Sequence, residues 1–281
     1  MKLKADQLKD LIRKEARNDS TRSQILFRNY IMERFLERIA VSKYKNNFIL
    51  KGGLLVASIV GLNTRATLDI DTTVKYLPLS IITARKFVSE IIAIPINDGV
   101  IFTIKDVTTI MDEADYSGVR VSLAAQLENI RTPLKVDIST GDAITPKEVF
   151  YDFKLMFENR NIAILAYNLE TVLAEKLETI LSRGTANTRL RDFYDIYILQ
   201  NNPSNSINLK TLKDAFGKTV AKRTSISLLS DTNTILNEIE SSKDMQKLWK
   251  TYQKKFDYAT DITWTIIINS VKDLFNVIND N

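Results

Sequence analysis

The sequence predicts an α+β fold, in which a first half with a mixed sheet is followed by a mainly helical C-terminal domain. Apolar and polar residues alternate, as in strands, between residues 48 and 140, whereas apolar residues recur at helical spacing from about residue 165 onward. The 281 residues, 44% of them hydrophobic, suffice for one large domain or two modest ones. We predict three segments, which are basic N-terminal helices over 1–45, a mixed-sheet core over 46–150 and a helical domain over 151–281.

The first half is predicted to begin with two helices, over 3–18 and 22–42, the second with a regular apolar stripe. A short strand over 48–50 ends at Gly52-Gly53, and an apolar helix over 54–60 stops near Gly61. Thr132-Pro133 predicts a tight turn between the last two strands. The remaining predicted elements are strand 68–75, helix 79–94 and strands 99–108, 117–127 and 132–140.

The second half has helical periodicity with few interruptions, which predicts a helical domain. Asn168 is a suitable N-cap for its first helix, and the polar stretch 201–205 predicts a loop. The predicted helices are 168–183, 189–200, 208–220, 227–240, 243–256 and 260–279.

The composition excludes several classes of function. The chain has no Cys and no His, which rules out disulfides, Ser-His-Asp and Cys-His catalysis, and the usual zinc ligands. An enzyme of this composition would use carboxylates, Lys, Arg, Tyr or Ser/Thr, and its metal would be an oxygen-ligated Mg²⁺ or Mn²⁺. No apolar run is long enough to span a membrane, and the charged N-terminus is unlike a secretory signal. We therefore expect a cytoplasmic protein.

The positive charge is concentrated at the N-terminus. Residues 1–45 contain 12 Lys/Arg and 6 Asp/Glu, a net charge of +6, whereas the remainder contains 27 and 28, a net charge of −1. This asymmetry indicates either a surface that meets a polyanion, such as nucleic acid or an acidic protein, or simply a solvated helix face.

Two carboxylates follow a glycine pair in the most informative stretch of the chain. Asp69 and Asp71 are two residues apart on the predicted strand 68–75, so both side chains project from one face, where a divalent metal would relieve their repulsion. Gly52-Gly53 lies between a strand and a helix, where backbone N–H groups can bind phosphate. Arg65 and Thr67 could position a phosphate or ribose. Taken singly, the acidic pair is also compatible with an exposed strand edge, and the glycines with a plain turn.

A third carboxylate, Asp137, shares a strand face with Lys135 and Ser139. If strand 132–140 pairs beside strand 68–75, Asp137 converges with the first two carboxylates as a third metal ligand. The alternative is an exposed aspartate that pairs with Lys135.

Two predicted helices of the second half contribute further candidates. Lys176 borders an apolar stripe, so its ammonium group either snorkels to solvent or points into a site. Asp192 and Asp195, three residues apart, lie on a helix that is apolar almost all round, where buried carboxylates need partners. An i,i+4 pair with Arg191 would account for Asp195, whereas Asp192 could face Lys176 or a nucleotide.

These motifs together resemble the AbiEii/AbiGii toxin family. The resemblance spans about residues 45–200 and rests on motifs in a specific order: Gly52-Gly53, Arg65-x-Thr67-x-Asp69-Ile70-Asp71, Val136-Asp137-Ile138, Glu175-Lys176-Leu177 and Arg191-Asp192-x-x-Asp195-Ile196-Tyr197. It implies a DNA polymerase β-type nucleotidyltransferase fold, with the helical C-terminal domain completing the active site. Such proteins are growth-inhibiting toxins of abortive-infection, phage-defence toxin–antitoxin systems, and the related MenT toxins transfer nucleotides to tRNA.

The resemblance also implies a role for each matching residue. Asp69 and Asp71 would hold the metal, Lys176 would grip the triphosphate of an NTP, and Asp192 would assist catalysis. Gly53 stands where many nucleotidyltransferases carry a serine, so a hydroxyl contact to phosphate is missing here. Gly52, Gly53, Arg65, Thr67 and Asp195 would contact the nucleotide. The implied partners are an NTP, a tRNA acceptor that suits the basic segment, and a cognate antitoxin encoded alongside.

Two other classes of function are compatible with the same residues. A nucleotide-binding sensor or partner module would bind an NTP without releasing pyrophosphate. A nucleic-acid-binding protein with structural acidic pairs would bind RNA independently of Asp69 and of metal.

Overall fold

The computed structural model describes residues 5–111 and 117–279, and the chain divides into two compact units. The first unit comprises Met1–Asp142 and Glu148–Tyr167, and the second Ala143–Lys147 and Asn168–Asn281. The predicted fold class, with a mixed sheet followed by a helical C-terminal part, is confirmed. The first two residues of the predicted helix 3–18 lie outside the described residues.

A mixed sheet forms the centre of the first unit, and over the described residues it has seven strands. In chain order these are β1 (Phe48–Lys51), β2 (Ile70–Val74), β3 (Val100–Met111), β4 (Ser117–Leu127), β5 (Ile130–Thr140), β6 (Val149–Lys154) and β7 (Asn161–Ala166). Their order across the sheet is β3-β4-β5-β2-β1-β7-β6. The pairs β2–β5 and β1–β7 are parallel, and the other neighbours are antiparallel.

Four helices of the first unit are α1 (Ala5–Glu15), α2 (Ser20–Val41), α3 (Gly52–Val60) and α4 (Ile81–Ile92). Asp19 caps α2 by accepting a hydrogen bond from the backbone N–H of Arg22 at 2.7 Å. Phe35 of α2 packs edge-on against Phe102 of β3, with ring centroids 5.8 Å apart. The sheet face around Phe102 is therefore the covered one, and it supplies the buried Val119, Val121, Leu134, Val136 and Ile138.

The opposite face of β4 and β5 is more exposed and carries the polar side chains. Because side chains alternate along a strand, Lys135 and Asp137 lie on this face of β5, and Arg120 on that of β4. Lys135 is exposed, and Asp137 and Arg120 are half-buried.

Two details differ from the sequence prediction. Strands β6 and β7 were not predicted, because β6 is a largely exposed edge strand with little alternation in its sequence. The predicted turn at Thr132-Pro133 is wrong, since both residues lie inside β5, opposite Ala125 and Ala124. The chain turns instead near Glu128, whose φ is +50°. Proline is tolerated because this end of β5 pairs with β4 alone, whereas pairing with β2 begins only at Val136.

Helix α2 buries an ionic network that its sequence pattern does not reveal. Arg34 contacts the carboxylates of Glu37 at 3.1 Å and Glu158 at 2.6 Å, and lies 3.6 Å from Glu33. One turn later, Arg38 forms a bidentate pair with Asp98 at 2.6 and 3.0 Å. Two of the positive charges of segment 1–45, those of Arg34 and Arg38, are thus paired with carboxylates inside the first unit.

The second unit is helical over its described residues. Its helices are α5 (Leu169–Arg183), α6 (Leu190–Gln200), α7 (Leu209–Lys222), α8 (Thr232–Ser241), α9 (Lys243–Lys255) and α10 (Trp264–Asn279). Asn168 caps α5 as predicted, accepting from the N–H of Thr171 at 2.8 Å. Helix α6 packs against α5, α9 and α10, which explains why it is apolar almost all round. No described helix is long and apolar enough to cross a membrane.

The buried Glu33 makes the stability of the first unit depend on pH. Burial raises the pKa of Glu33 to about 8 from its usual 4.5, although Arg34 and the N–H of Met156 act in the opposite direction. The folded protein therefore keeps this proton up to about pH 8, whereas the unfolded chain releases it near pH 4.5. The free energy of unfolding should fall as the pH rises between these values.

We predict that Glu33→Gln removes this loss, because the amide cannot ionise and its oxygen still accepts the Met156 N–H. Chemical denaturation at pH 5 and pH 8 should show the variant gaining on the wild type by about 1 kcal/mol or more at the higher pH. An equal difference at both pH values would show that Glu33 is ionised in the folded protein.

Candidate active site

Four charged residues form a row across the exposed face of the sheet. Lys51 of β1 lies opposite Asp71 of β2, Asp71 opposite Asp137 of β5, and Asp137 opposite Arg120 of β4. Side chains of directly opposed residues project from the same face about 5 Å apart. The row thus consists of a cation, two carboxylates and a second cation. Strands β2 and β5 are neighbours, so the pairing that the convergence of Asp137 with Asp71 requires is present.

The two outer cations are engaged by carboxylates. Arg120 holds Asp137 in a bidentate pair at 2.7 and 2.6 Å. Lys51 contacts Asp142 at 2.7 Å, and Asp142 also accepts hydrogen bonds from Ser139 and Tyr167. Asp137 therefore already has a counter-ion on its own sheet face, and that counter-ion is Arg120 rather than the Lys135 considered from the sequence.

Asp69 and Asp71 differ from Asp137 and Asp142, because neither forms an ion pair within the described part of the chain. The Asp71 carboxylate accepts a hydrogen bond from the backbone N–H of Gly53, at 3.3 Å. Burial raises the pKa of Asp71, and the neighbouring charge of Asp69 raises it further, with Lys51 opposing both. The pair is consequently short of positive charge.

Gly52 and Gly53 bring the start of α3 against these carboxylates. Gly52 has φ of +65°, and a Cβ atom there would lie 2.1 Å from Oδ2 of Asp71. A Cβ on Gly53 would lie 2.8 Å from the Thr67 hydroxyl and 3.3 Å from the Arg65 guanidinium. Both glycines are thus required for close approach, and Arg65 and Thr67 are buried against the beginning of α3.

The donor set suits a hard divalent cation. Mg²⁺ is commonly held by one or two carboxylates, with substrate phosphates and water at the other positions. Asp69 and Asp71 provide two such carboxylates, and neither is in an ion pair with another described residue. Within the described residues no group of three or more His, Cys, Asp or Glu side chains is placed to hold a metal ion. The chemistry therefore fits a two-carboxylate site whose remaining ligands come from the substrate.

A second charged cluster lies in the helical unit. The Lys176 ammonium of α5 contacts Asp192 at 2.9 Å and Asp195 at 2.6 Å, both on α6. Arg189 lies 2.8 Å from the other oxygen of Asp192. Burial raises the pKa of Asp192, but Lys176 and Arg189 outweigh it and hold the pKa below its usual value. Lys176 therefore does not snorkel to solvent, since its ammonium group ends on two buried carboxylates.

The sequence analysis missed four of the charged residues around these sites. They are Lys51, Arg120, Asp142 and Arg189. Lys51 directly precedes the glycine pair, and Arg189 precedes Asp192 by one helical turn. Both could have been found from their closeness in sequence to predicted site residues. Arg120 could be placed only once the register of β4 and β5 was known. The contact of Asp142 with Lys51 spans 91 residues and has no signal in the sequence.

Comparison with known proteins identifies the family. A sequence model of the AbiEii nucleotidyl transferase toxins, of type IV toxin–antitoxin systems, matches residues 34–276. No curated protein matches the chain significantly.

Solved structures give weaker similarities. JHP933 from Helicobacter pylori is 17% identical, with a TM-score of 0.47 over 90% of this chain and 94% of its own. An antigenic nucleotidyltransferase-like protein from Paracoccidioides brasiliensis is 11% identical, with a TM-score of 0.32 over 97% of this chain and 95% of its own.

We predict that Gly52→Ala displaces Asp71 and destabilises the first unit. The added methyl group clashes with the carboxylate, and the left-handed conformation alone costs about 1–2 kcal/mol for a residue with a Cβ. Gly217→Ala in α7 is the matched control, because a Cβ there meets nothing within 4 Å and should raise stability slightly. Urea unfolding of both variants measures the effect, and equal stabilities would refute the close approach.

We also predict that Lys176→Met destabilises the second unit by about 3 kcal/mol, because it leaves Asp192 and Asp195 buried without their shared cation. Lys176→Arg should cost less, since it keeps the charge. The double variant Lys176→Met/Asp195→Asn should recover part of the loss. If the single methionine variant unfolds at the wild-type urea concentration, the cluster does not need its lysine.

Proposed function

The chain belongs to the AbiEii nucleotidyl transferase toxin family. On that premise we propose that it transfers NMP from an NTP to an RNA acceptor, with Mg²⁺ or Mn²⁺ as its metal cofactor. The family establishes a nucleotidyltransferase of a toxin–antitoxin system, with an NTP substrate and a cognate antitoxin. The metal, the acceptor and the individual residue roles are the proposal.

One observation carries it: Asp69 and Asp71 are the carboxylates of the sheet site that have no ion pair among the described residues. Asp137 is neutralised by Arg120 and Asp142 by Lys51. A fold gains nothing from leaving two adjacent carboxylates uncompensated at a partly buried position. A bound cation would compensate the charge of both carboxylates. The N–H of Gly53 lies beside Asp71 and favours the binding of a phosphate group next to that cation.

Asp69 and Asp71 would hold the metal through their carboxylate oxygens. When bound, Mg²⁺ polarises the α-phosphate and offsets the charge of the departing pyrophosphate. The backbone at Gly52 and Gly53 would bind phosphate oxygens, and Arg65 and Thr67 would fix the start of α3 and contact phosphate or ribose. We assign Asp137 a lesser part, as a ligand only when Arg120 releases it.

Lys176 would bind the triphosphate of the NTP, which requires its ammonium group to exchange one carboxylate partner for a phosphate. Asp192 would then orient the nucleotide or accept the proton of the attacking hydroxyl. Asp195 would keep Lys176 aligned during the exchange.

The acceptor we propose is RNA, with tRNA as the first candidate, because the basic segment 1–45 suits a phosphate backbone. Modification of such an RNA in the cytoplasm would arrest growth, consistent with a toxin of phage defence by abortive infection.

The proposal is tested by incubating the purified protein with each labelled NTP, Mg²⁺ and total bacterial RNA, and then sizing the labelled product. Label in one RNA size class, lost when EDTA is added, supports the proposal. NTP binding without pyrophosphate release would instead support a nucleotide-binding module. RNA binding that is independent of metal and of Asp69 would support a nucleic-acid-binding protein.

We predict that Asp69→Asn and Asp71→Asn each reduce transfer by about 100-fold or more and abolish growth arrest. Neither change should unfold the protein, because each removes repulsion and the amide oxygen at position 71 can still accept the hydrogen bond from the Gly53 N–H. Without Mg²⁺ the melting temperature should stay constant or rise. Asp152→Asn, an exposed carboxylate on the edge strand β6, is the control and should remain fully toxic. Growth arrest by Asp71→Asn at equal expression would contradict the assignment.

A further inference from the structure

A cleft of about 670 Å³ lies between helices α1 and α2 and the start of strand β5 in the first unit. Four of its lining residues are cations, contributed by all three elements, and none is acidic. The cations are Lys9 and Arg13 of α1, Arg28 of α2 and Arg131 of β5.

These cations are available to a ligand. Within residues 5–111 and 117–279, Lys9 and Arg13 form only exposed i,i+3 pairs, with Asp6 at 3.2 Å and Asp10 at 3.8 Å, and such pairs contribute little. Arg131 donates to the uncharged amide oxygen of Gln126 at 3.2 Å. Arg28 forms no ion pair with any described residue. Arg28 and Arg131 therefore give the cleft positive charge that is not paired with a carboxylate in the described part of the chain.

Two other cations of the basic segment cannot serve the same purpose. Arg34 and Arg38 are buried and bound to carboxylates. Part of the positive charge of residues 1–45 is thus available at the cleft, whereas the charge of Arg34 and Arg38 is not. The three cations of this segment that line the cleft lie on one side of α1 and α2, together with Arg131 of β5.

The cleft also offers an aromatic surface. Phe27 of α2 lines it and is half-buried, so part of its ring remains accessible. Basic grooves with an aromatic side chain are the usual means of binding single-stranded nucleic acid, because the cations follow the phosphates and a base stacks on the ring.

Strand β5 connects the cleft with the carboxylate site. Arg131, Lys135 and Asp137 lie on the same face of this strand, opposite the face that α2 covers, and Arg131 borders the cleft where β5 begins. Arg131 and Asp137 are six residues apart, which corresponds to about 20 Å along a strand. A few nucleotides span that distance, and the exposed Lys135 lies between the two ends.

We infer that this cleft binds the single-stranded part of the acceptor RNA, a few nucleotides from the end that receives the NMP; the inference rests on the proposed function. Arg28 and Arg131 contact phosphates, and Phe27 stacks on a base. Duplex RNA would keep the phosphate contacts but could not offer an unpaired base.

The test measures binding of a fluorescent single-stranded RNA oligonucleotide, and of a duplex, to the full chain over a series of salt concentrations. Arg28→Gln/Arg131→Gln should weaken single-strand binding about tenfold at low salt and reduce the slope of log K against log salt by about 1.4. Phe27→Leu should weaken single-strand binding at least about fivefold and leave duplex binding unchanged. The control is Arg85→Gln/Lys86→Gln, which removes the same charge from exposed positions of α4.

Wild-type affinity and salt slope in the Arg28/Arg131 variant would overturn the inference, as would an equal loss in the α4 control. A thermal melt of each variant excludes unfolding, and the arginine variant decides the question if Phe27→Leu is unstable. Should the wild type label RNA and the cleft variants do so with unchanged KM for RNA, the cleft inference fails while the proposed function stands. Should the wild type label no RNA, the proposed function fails, and oligonucleotide binding alone decides the cleft.

Discussion

The repulsion between carboxylates on adjacent strands is the constraint around which the first unit is organised. The parallel pairing of β2 with β5 fixes Asp71 directly opposite Asp137, and Asp69 lies two residues before Asp71. Like charges held opposite one another destabilise a sheet unless cations lie nearby. The register of the strands places Lys51 opposite Asp71 on one side and Arg120 opposite Asp137 on the other. The compensation is incomplete, because these cations are bound by Asp142 and Asp137. What remains uncompensated is the pair Asp69 and Asp71.

The charged cluster of the second unit differs from the sheet site, because its positive and negative charges are equal in number. Lys176 and Arg189 meet Asp192 and Asp195, so two cations match two carboxylates, and the pKa of Asp192 is held low. This cluster is self-sufficient without a ligand, whereas the sheet site is not. A buried balanced network is weak evidence for function by itself. The unbalanced pair is therefore the stronger indication of where a cation and a phosphate would bind.

The sequence could predict the elements that carry the site because their signals are local. Alternation placed Asp71 and Asp137 on the polar faces of their strands, and the glycine pair marked the strand-to-helix junction at α3. Helical spacing showed that Asp192 and Asp195 share one stripe. What the sequence could not predict depends on register. The opposition of Arg120 to Asp137, the burial of Arg34 and the course of β5 through Pro133 follow from pairing between distant segments.

The buried charges of α2 show why net charge alone misleads about partners. Counting along residues 1–45 gives a uniform basic segment, yet Arg34 and Arg38 are committed to carboxylates brought in from elsewhere in the chain. Their desolvation is tolerable only because each is paired. The cations that remain for a polyanion are those left at the surface, and four of them line the cleft formed by α1, α2 and the start of β5. Arg131, which lies outside the basic segment in the sequence, joins this surface because β5 begins beside α1 and α2. The ability of the chain to bind a polyanion thus depends on which Lys and Arg side chains the fold leaves unpaired. These are fewer than the Lys and Arg residues counted in the sequence.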